Sequence, residues 1–474
     1  MTTMHKPWGN PPQPADGRRG LPAWRLLRLE LRLALHSRLA AGALLMLALL
    51  GAVAVACGLH AVAAQRDALR RIVGVQGAEL AVLAQQYRQG GDAGMAAYGT
   101  PHLTVNPAPA LAFAAIGQLD VQPHALRVRA LGLQAQLYES EAVNPELAAH
   151  GRFDYAFVLV YLAPLFIVVL MHDLVSGERE AGRLRLLAAQ PVRAGSPWRL
   201  RIALRYGLVL AAVLAPFAAG AAVAGAPLGG AALVAAAAAL YLAFWFGVSA
   251  LVAARVRGSA AGAAALLALF VSLTLVAPAI VNAAIARQFT LARGAELALA
   301  QRQAVHQGWD LPKQETMERF FNSHPEWRGT APVTERFHWK WYYAMQQAGD
   351  DAVAGQARQY REQLLARDDW TRRAGMLLAP VNAQVLLHRL AGTDLQAQLA
   401  YQDRIAGFHR ALRHYYYPYF FNDQPFGAAD FAAAPRYKAR AAEGGVPPDA
   451  LAALALLAGL AGWAGVRAMR GVAP

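Results

Sequence analysis

Six apolar runs, each long enough to cross a bilayer as a helix, leave this chain few folds to choose from. They cover about 39–64, 153–171, 203–225, 229–254, 259–285 and 449–466. A bilayer core takes roughly 20 apolar residues per helix. Inside lipid every backbone N–H and C=O must be satisfied within the protein, so such runs become helices. The third to fifth runs are rich in Ala and Gly, which lets helices approach closely in lipid. Pro447-Pro448-Asp449 supplies a start for the last. Charged residues are 16% of the chain, against about 25% in a soluble domain. The expected fold is an all-α polytopic membrane protein with six transmembrane helices.

The net charge of +15 would suit nucleic acid, but its placement does not. The arginines flank the apolar runs: Arg25, Arg28, Arg32 and Arg38 before the first, Arg179, Arg183, Arg185, Arg193, Arg199, Arg201 and Arg205 between the second and third, Arg255 and Arg257 after the fourth, Arg467 and Arg470 after the last. With six spans all of these fall on one side, which the positive-inside rule makes cytoplasmic. Both termini are then cytoplasmic. The long segments 65–152 and 286–448 lie outside, where their own arginines matter little. No base-reading or stacking motif accompanies the charge, so no nucleic-acid partner is expected.

The pieces in order are a tail and amphipathic helix (1–38), the first span (39–64), an outer segment (65–152), the second span (153–171), a cytoplasmic loop (172–202), three spans (203–225, 229–254, 259–285), a large outer domain (286–448), the last span (449–466) and a short tail (467–474). Within 21–38, Trp24, Leu27, Leu31 and Leu35 share a helix face while the arginines lie elsewhere, the pattern of a helix at the membrane surface against lipid. Gln65–Gln89 reads as a helix prolonging the first span, and the proline-rich stretch after it as irregular. The outer domain reads as helices over about 287–307, 350–378 and 394–416. Cys57 is the single cysteine, so an outer domain must hold itself together by its core. Cys57 reads as a small buried hydrophobe.

Chemistry-bearing groups are sparse. Two aromatic clusters stand in the outer domain, one including Trp339, Trp341 and Tyr342, the other Tyr415, Tyr416 and Tyr417. Such stripes are mostly packing, and a partner or substrate surface is the functional alternative. His409 and His414 miss the i, i+4 spacing of a helical metal pair and no H-E-x-x-H occurs, so no metal site is expected. Ser323, His324 and Glu326 are near one another, without a G-x-S-x-G. Asp154 and Asp173 fall near span ends, so no buried charge relay for a proton-driven carrier is evident. The four lysines follow no phosphate-binding glycine pattern. The chain is therefore expected to be no enzyme and to hold no cofactor.

The loop after the second span reads Ser-Gly-Glu-Arg-Glu-Ala-Gly-Arg-Leu-Arg-Leu-Leu-Ala-Ala-Gln-Pro-Val over Ser176–Val192. Leu184, Leu187 and Ala188 fall on one side of its helical part and the arginines largely on others. Gly182 interrupts it and Pro191 stops it. Glu178, Arg179, Glu180, Gly182, Leu184, Leu187 and Pro191, with Leu186 and Val192, resemble the cytoplasmic signature of ABC-2 type transporter permeases. Arg183 stands where that signature usually has Thr. Asn144-Pro145 and Gly151-Arg152-Phe153-Asp154 extend the likeness upstream. The chain is similar to members of that family with a large extracytoplasmic insert, over most of its length. The resemblance implies a permease subunit of a bacterial inner membrane, an exporter, whose loop seats on a separate ABC ATP-binding subunit. That partner would hold ATP and Mg, and a second permease subunit, identical or related, would complete the complex. Two rivals stand beside it. One is a mechanotransmission complex acting on a periplasmic protein. The other is a membrane-anchored outer enzyme or receptor.

Overall fold

The computed structural model describes residues 23–138, 152–184, 186, 196–289 and 294–472. Helix α1 (Ala23–His36) leaves Trp24, Leu27, Leu33 and Leu35 exposed. Ser37 separates it from α2 (Arg38–Gln86), its hydroxyl accepting a hydrogen bond from the Ala40 N–H at 3.3 Å. Then come α3 (Ala93–Gly99), an antiparallel ribbon of β1 (His102–Val105) and β2 (Ala125–Val128), and α4 (Leu133–Tyr138). His102 lies opposite Val128 and Val105 opposite Ala125. The stretch that reads as irregular thus holds two short strands within a mainly helical chain.

The chain continues through α5 (Tyr155–Glu180), α6 (Ser196–Ala224), α7 (Leu228–Arg255) and α8 (Ser259–Gln288). Next are α9 (Gly294–Gln307), α10 (Lys313–Ser323), α11 (Trp339–Gly375), α12 (Ala379–Ala391), α13 (Leu395–Phe421) and α14 (Ala428–Ala433). The last is α15 (Pro448–Arg470). Six of these, α2, α5, α6, α7, α8 and α15, are long and apolar enough to cross a membrane. The protein is mainly helical and membrane-embedded.

Two prolines shape the spans. A π-turn at Val158–Leu162 precedes Pro164 in α5, and another at Ser272–Val276 precedes Pro278 in α8. Proline brings no N–H and crowds the carbonyl a turn earlier, and a wider turn relieves both.

Small residues set how closely the spans pack. In α7 and α15, Gly247 and Gly465 face each other: a Cβ on Gly247 would lie 2.4 Å from the Ala461 carbonyl carbon, and one on Gly465 2.7 Å from the Gly247 oxygen. In α2 and α6, a Cβ on Gly51 would meet Pro216 Cγ at 3.0 Å. Cys57 is exposed on α2, not buried as expected.

The apolar core divides in two. One part lies among the spans. It takes in Leu386, Leu387 and Leu390 of α12 and the irregular segment 108–115. Phe113 of that segment is fully buried, its ring 5.9 Å from that of Phe217. The other part, a domain core, gathers Phe320, Tyr343, Tyr401, Tyr416 and Phe421 with Tyr87, Ala96 and Val128 from before the second span. Residues from 87–97, 128–133 and 317–434 therefore share one core, while α12 and segment 108–115 side with the spans.

Candidate functional site

The last turns of α5 hold the resemblance-bearing residues. Helical hydrogen bonding stops at Glu180, and Gly182 takes φ +69°, a left-handed conformation that costs glycine nothing. The Arg183 N–H then reaches the Glu178 carbonyl at 2.9 Å, and the Gly182 N–H the Arg179 carbonyl at 3.0 Å. This double closure ends a helix sharply and fixes where the two glutamates point.

Each glutamate meets a different element. Glu178 Oε2 accepts from Arg183 Nε at 2.7 Å, and Oε1 from Arg201 Nη1 at 2.9 Å. Arg201, near the start of α6, also donates through Nε to Glu30 Oε1 of α1 at 2.9 Å. The three side chains of this Glu30–Arg201–Glu178 chain are mostly buried, at 20%, 12% and 16% exposure. Glu180 turns toward α8. Its Oε1 accepts from the Ser259 N–H at 2.9 Å and its Oε2 from the Ser259 hydroxyl at 3.0 Å. Ser176 Oγ lies 2.9 Å from Ser259 Oγ. The N-cap of α8 is Gly258, which has no side chain to give. Glu180 supplies the missing acceptor from another helix, with the charge that a helix N-terminus favours. Arg179 Nη1 donates to the Arg257 carbonyl at 3.2 Å in the same corner.

One turn thus ties the ends of α1, α6 and α8 to α5. Leu184 is buried against the core, whereas Gly182, Arg183 and Leu186 are exposed. Leu187 and Pro191 lie outside the described residues. Glu30 and Ser259 escaped the sequence reading, because their partners are distant in the chain. Glu30 carries a signal in hindsight: it is the one carboxylate of α1.

The aromatic residues divide. Trp341, Tyr416 and Tyr417 are buried in the domain core, which corrects their place on a partner surface: their rings are packing. Tyr416 lies 6.1 Å from Phe420 in a parallel stack, and Tyr417 5.4 Å from Phe421 edge-on. Tyr415 is half-buried, its hydroxyl bonded to the Asp430 carbonyl. Trp339 and Tyr342 are half-buried and cluster with the exposed Tyr98, Trp309 and Phe337.

Ser323 and His324 form no hydrolytic triad. The Ser323 hydroxyl donates to Asp351 Oδ2 at 2.7 Å, so at 2.9 Å it accepts from His324 Nδ1. A nucleophile needs the reverse, with its proton given to the histidine. His409 is buried and bonded through Nε2 to the Leu131 carbonyl at 2.7 Å. Among the described residues, no group of three or more His, Cys, Asp or Glu could hold a metal ion.

Residues 295–440 match the family model of a domain of unknown function, DUF3526. The match takes in α9 to α14, most of the domain core, and stops short of α15. No curated protein and no solved structure matches the chain.

Proposed function

We propose that this chain is a membrane-spanning permease subunit of an ABC-2 type transporter. In this reading it lies in a bacterial inner membrane with both termini cytoplasmic and the DUF3526 domain periplasmic. A separate ATP-binding subunit, holding ATP and Mg, docks at the Ser176–Gly182 end, and a second permease subunit completes the complex. Closure of the ATPase pair moves the spans and passes substrate outward.

The observation that carries this reading is the convergence of α1, α6 and α8 on one turn of α5. A push delivered there reaches four elements through short hydrogen bonds, as a mechanical coupling device requires. The roles within the signature then separate. Glu178 is mostly buried and Glu180, though exposed, is held by Ser259, so both act as braces. Gly182, Arg183 and Leu186 face solvent and offer the contact.

A second reading shares the ATPase but not the cargo: the complex works the periplasmic domain against an envelope protein. The reach of α2 favours it. Its 49 residues make roughly 70 Å of helix at about 1.5 Å per residue, more than twice a bilayer core. Its far end enters the domain core at Tyr87, between Phe426 at 5.7 Å and Phe431 at 5.3 Å.

The test is co-purification of the tagged protein from mild detergent with an assay of ATP hydrolysis. Arg183→Glu/Leu186→Glu is expected to lose the ATP-binding subunit. Glu178→Ala/Glu180→Ala is expected to keep it but to uncouple its hydrolysis. Absence of any ATPase from intact wild-type protein would sink both readings and leave the membrane-anchored enzyme or receptor.

A further inference from the structure

A cavity of about 1150 Å³ lies where the spans meet the domain, a little larger than most small-molecule sites. Phe157 and Tyr161 of α5 and Leu275 of α8 line it from the spans. Gln384 and His388 of α12, the 116–121 turn, Asp368 of α11 and Gln396 of α13 line it as well. Apolar rings from the spans and polar groups from the domain thus share one cavity.

Its charges do not cancel. Five aspartates and three arginines face it. Arg152 pairs with Asp120, Arg372 with Asp449 and Arg389 with Asp394. Asp154 and Asp368 remain. Asp154 is held by the backbone N–H groups of Ile116 and Phe157, both at 2.9 Å, and Asp368 by the neutral amide of Gln396 at 3.1 Å. Neither has a cationic partner within hydrogen-bond distance among the described residues. Gln384 Oε1 is buried there with no hydrogen-bond partner, so an acceptor waits for a donor. The Phe157 and Tyr161 rings, 5.4 Å apart, add π-faces to the apolar end, and such faces attract cations.

We propose that this cavity binds an amphipathic organic cation carrying N–H donors, its charge toward Asp368 and Asp154 and its apolar body between Phe157, Tyr161 and Leu275. The proposal rests on the transporter reading for its meaning, as the site where substrate waits on the domain side of the spans. Binding itself needs neither nucleotide nor a partner.

The test uses the full chain in lipid nanodiscs, with fluorescence polarisation of rhodamine 6G, a xanthene cation with ethylamino N–H groups. Sulforhodamine B, an anion on the same ring frame, and empty nanodiscs are the controls. Saturable binding of the cation and none of the anion is expected. Asp368→Asn keeps shape and the Gln396 bond but removes the charge, and should weaken binding about tenfold, the usual worth of one charge-assisted contact. Val385→Trp, which fills the cavity, should abolish it. Equal affinity for both dyes, unsaturable uptake, or indifference to both variants in well-folded protein would overturn the site. Lost binding with co-purification intact removes this site alone. Intact binding without any ATPase removes the transporter reading alone.

Discussion

Arg413 and Asp350 show what a single buried pair can hold together. Arg413 Nη2 lies 3.0 Å from Asp350 Oδ2, both nearly shut from water. Asp350 also receives the N–H groups of Leu133 and Gln134, and Arg413 gives its Nη2 to the Leu131 carbonyl at 2.7 Å. These bonds fasten the segment before the second span to α11 and α13. Arg413→Met strands the carboxylate in the interior, which costs on the order of 3–5 kcal/mol. Limited proteolysis should then cut the domain first while the spans stay whole. His102 supplies a pH dependence. Burial, and then the Arg436 guanidinium, push its pKa down to about 4. Between pH 6.5 and 4 the unfolded chain takes up a proton that the folded domain refuses, so this stability is full above 6.5 and is lost as pH falls through about 4. The span of that shift corresponds to roughly 3 kcal/mol. His409 is lowered by the same cause, burial first, while Asp350 is raised by burial and works in the opposite sense. Melting followed by tryptophan fluorescence should show a shallower loss on acidification for His102→Gln than for wild type. None of these partners was legible in the sequence, because each pairs residues far apart along the chain.

Helices were legible where their surroundings on all sides are alike. Each of the six apolar runs lies within one long helix or overruns its end by two residues at most, since lipid rewards the same composition all round. The amphipathic pattern of 21–38 likewise gave α1. The domain was harder. The sequence pattern starts a helix at about 350, yet α11 begins at Trp339. Residues 337–345 are crowded with aromatics that pack on both sides, so no polar face betrays the 3.6-residue period. Helix α12 escaped notice: it packs on α7 and α15 as well as on α11, so its apolar residues serve two neighbours at once. The α7–α15 seam gives the sharpest test at this scale. Gly247→Val forces side-chain atoms into the Ala461–Gly462 backbone, and overpacking of this kind costs about 1–3 kcal/mol or more. Gly459 lies on α15 too but has open space where a Cβ would go. Gly459→Ala should therefore leave detergent melting unchanged or slightly raised, while Gly247→Val lowers it by several degrees. Equal effects would mean that the seam is not what sets the distance between these helices.

At the scale of the molecule, α2 is, among the described residues, the one helix with side chains in both cores. It begins beside α1, runs through the spans past Pro216 at Gly51 and past the Phe113 backbone at Gly58, and ends in the domain at Tyr87. Such a rod has no joint, so it carries angle as faithfully as position. Each residue added to a helix advances its tip by about 1.5 Å and turns it by about 100°. One alanine inserted after Gln65 would swing Tyr87 away from Phe426 and Phe431, two would swing it further, and seven would restore its bearing nearly two turns higher. Domain folding, and with it any coupled activity, should fall and return with that period as the insertion lengthens. The domain is then keyed to the membrane by rotational phase more than by distance.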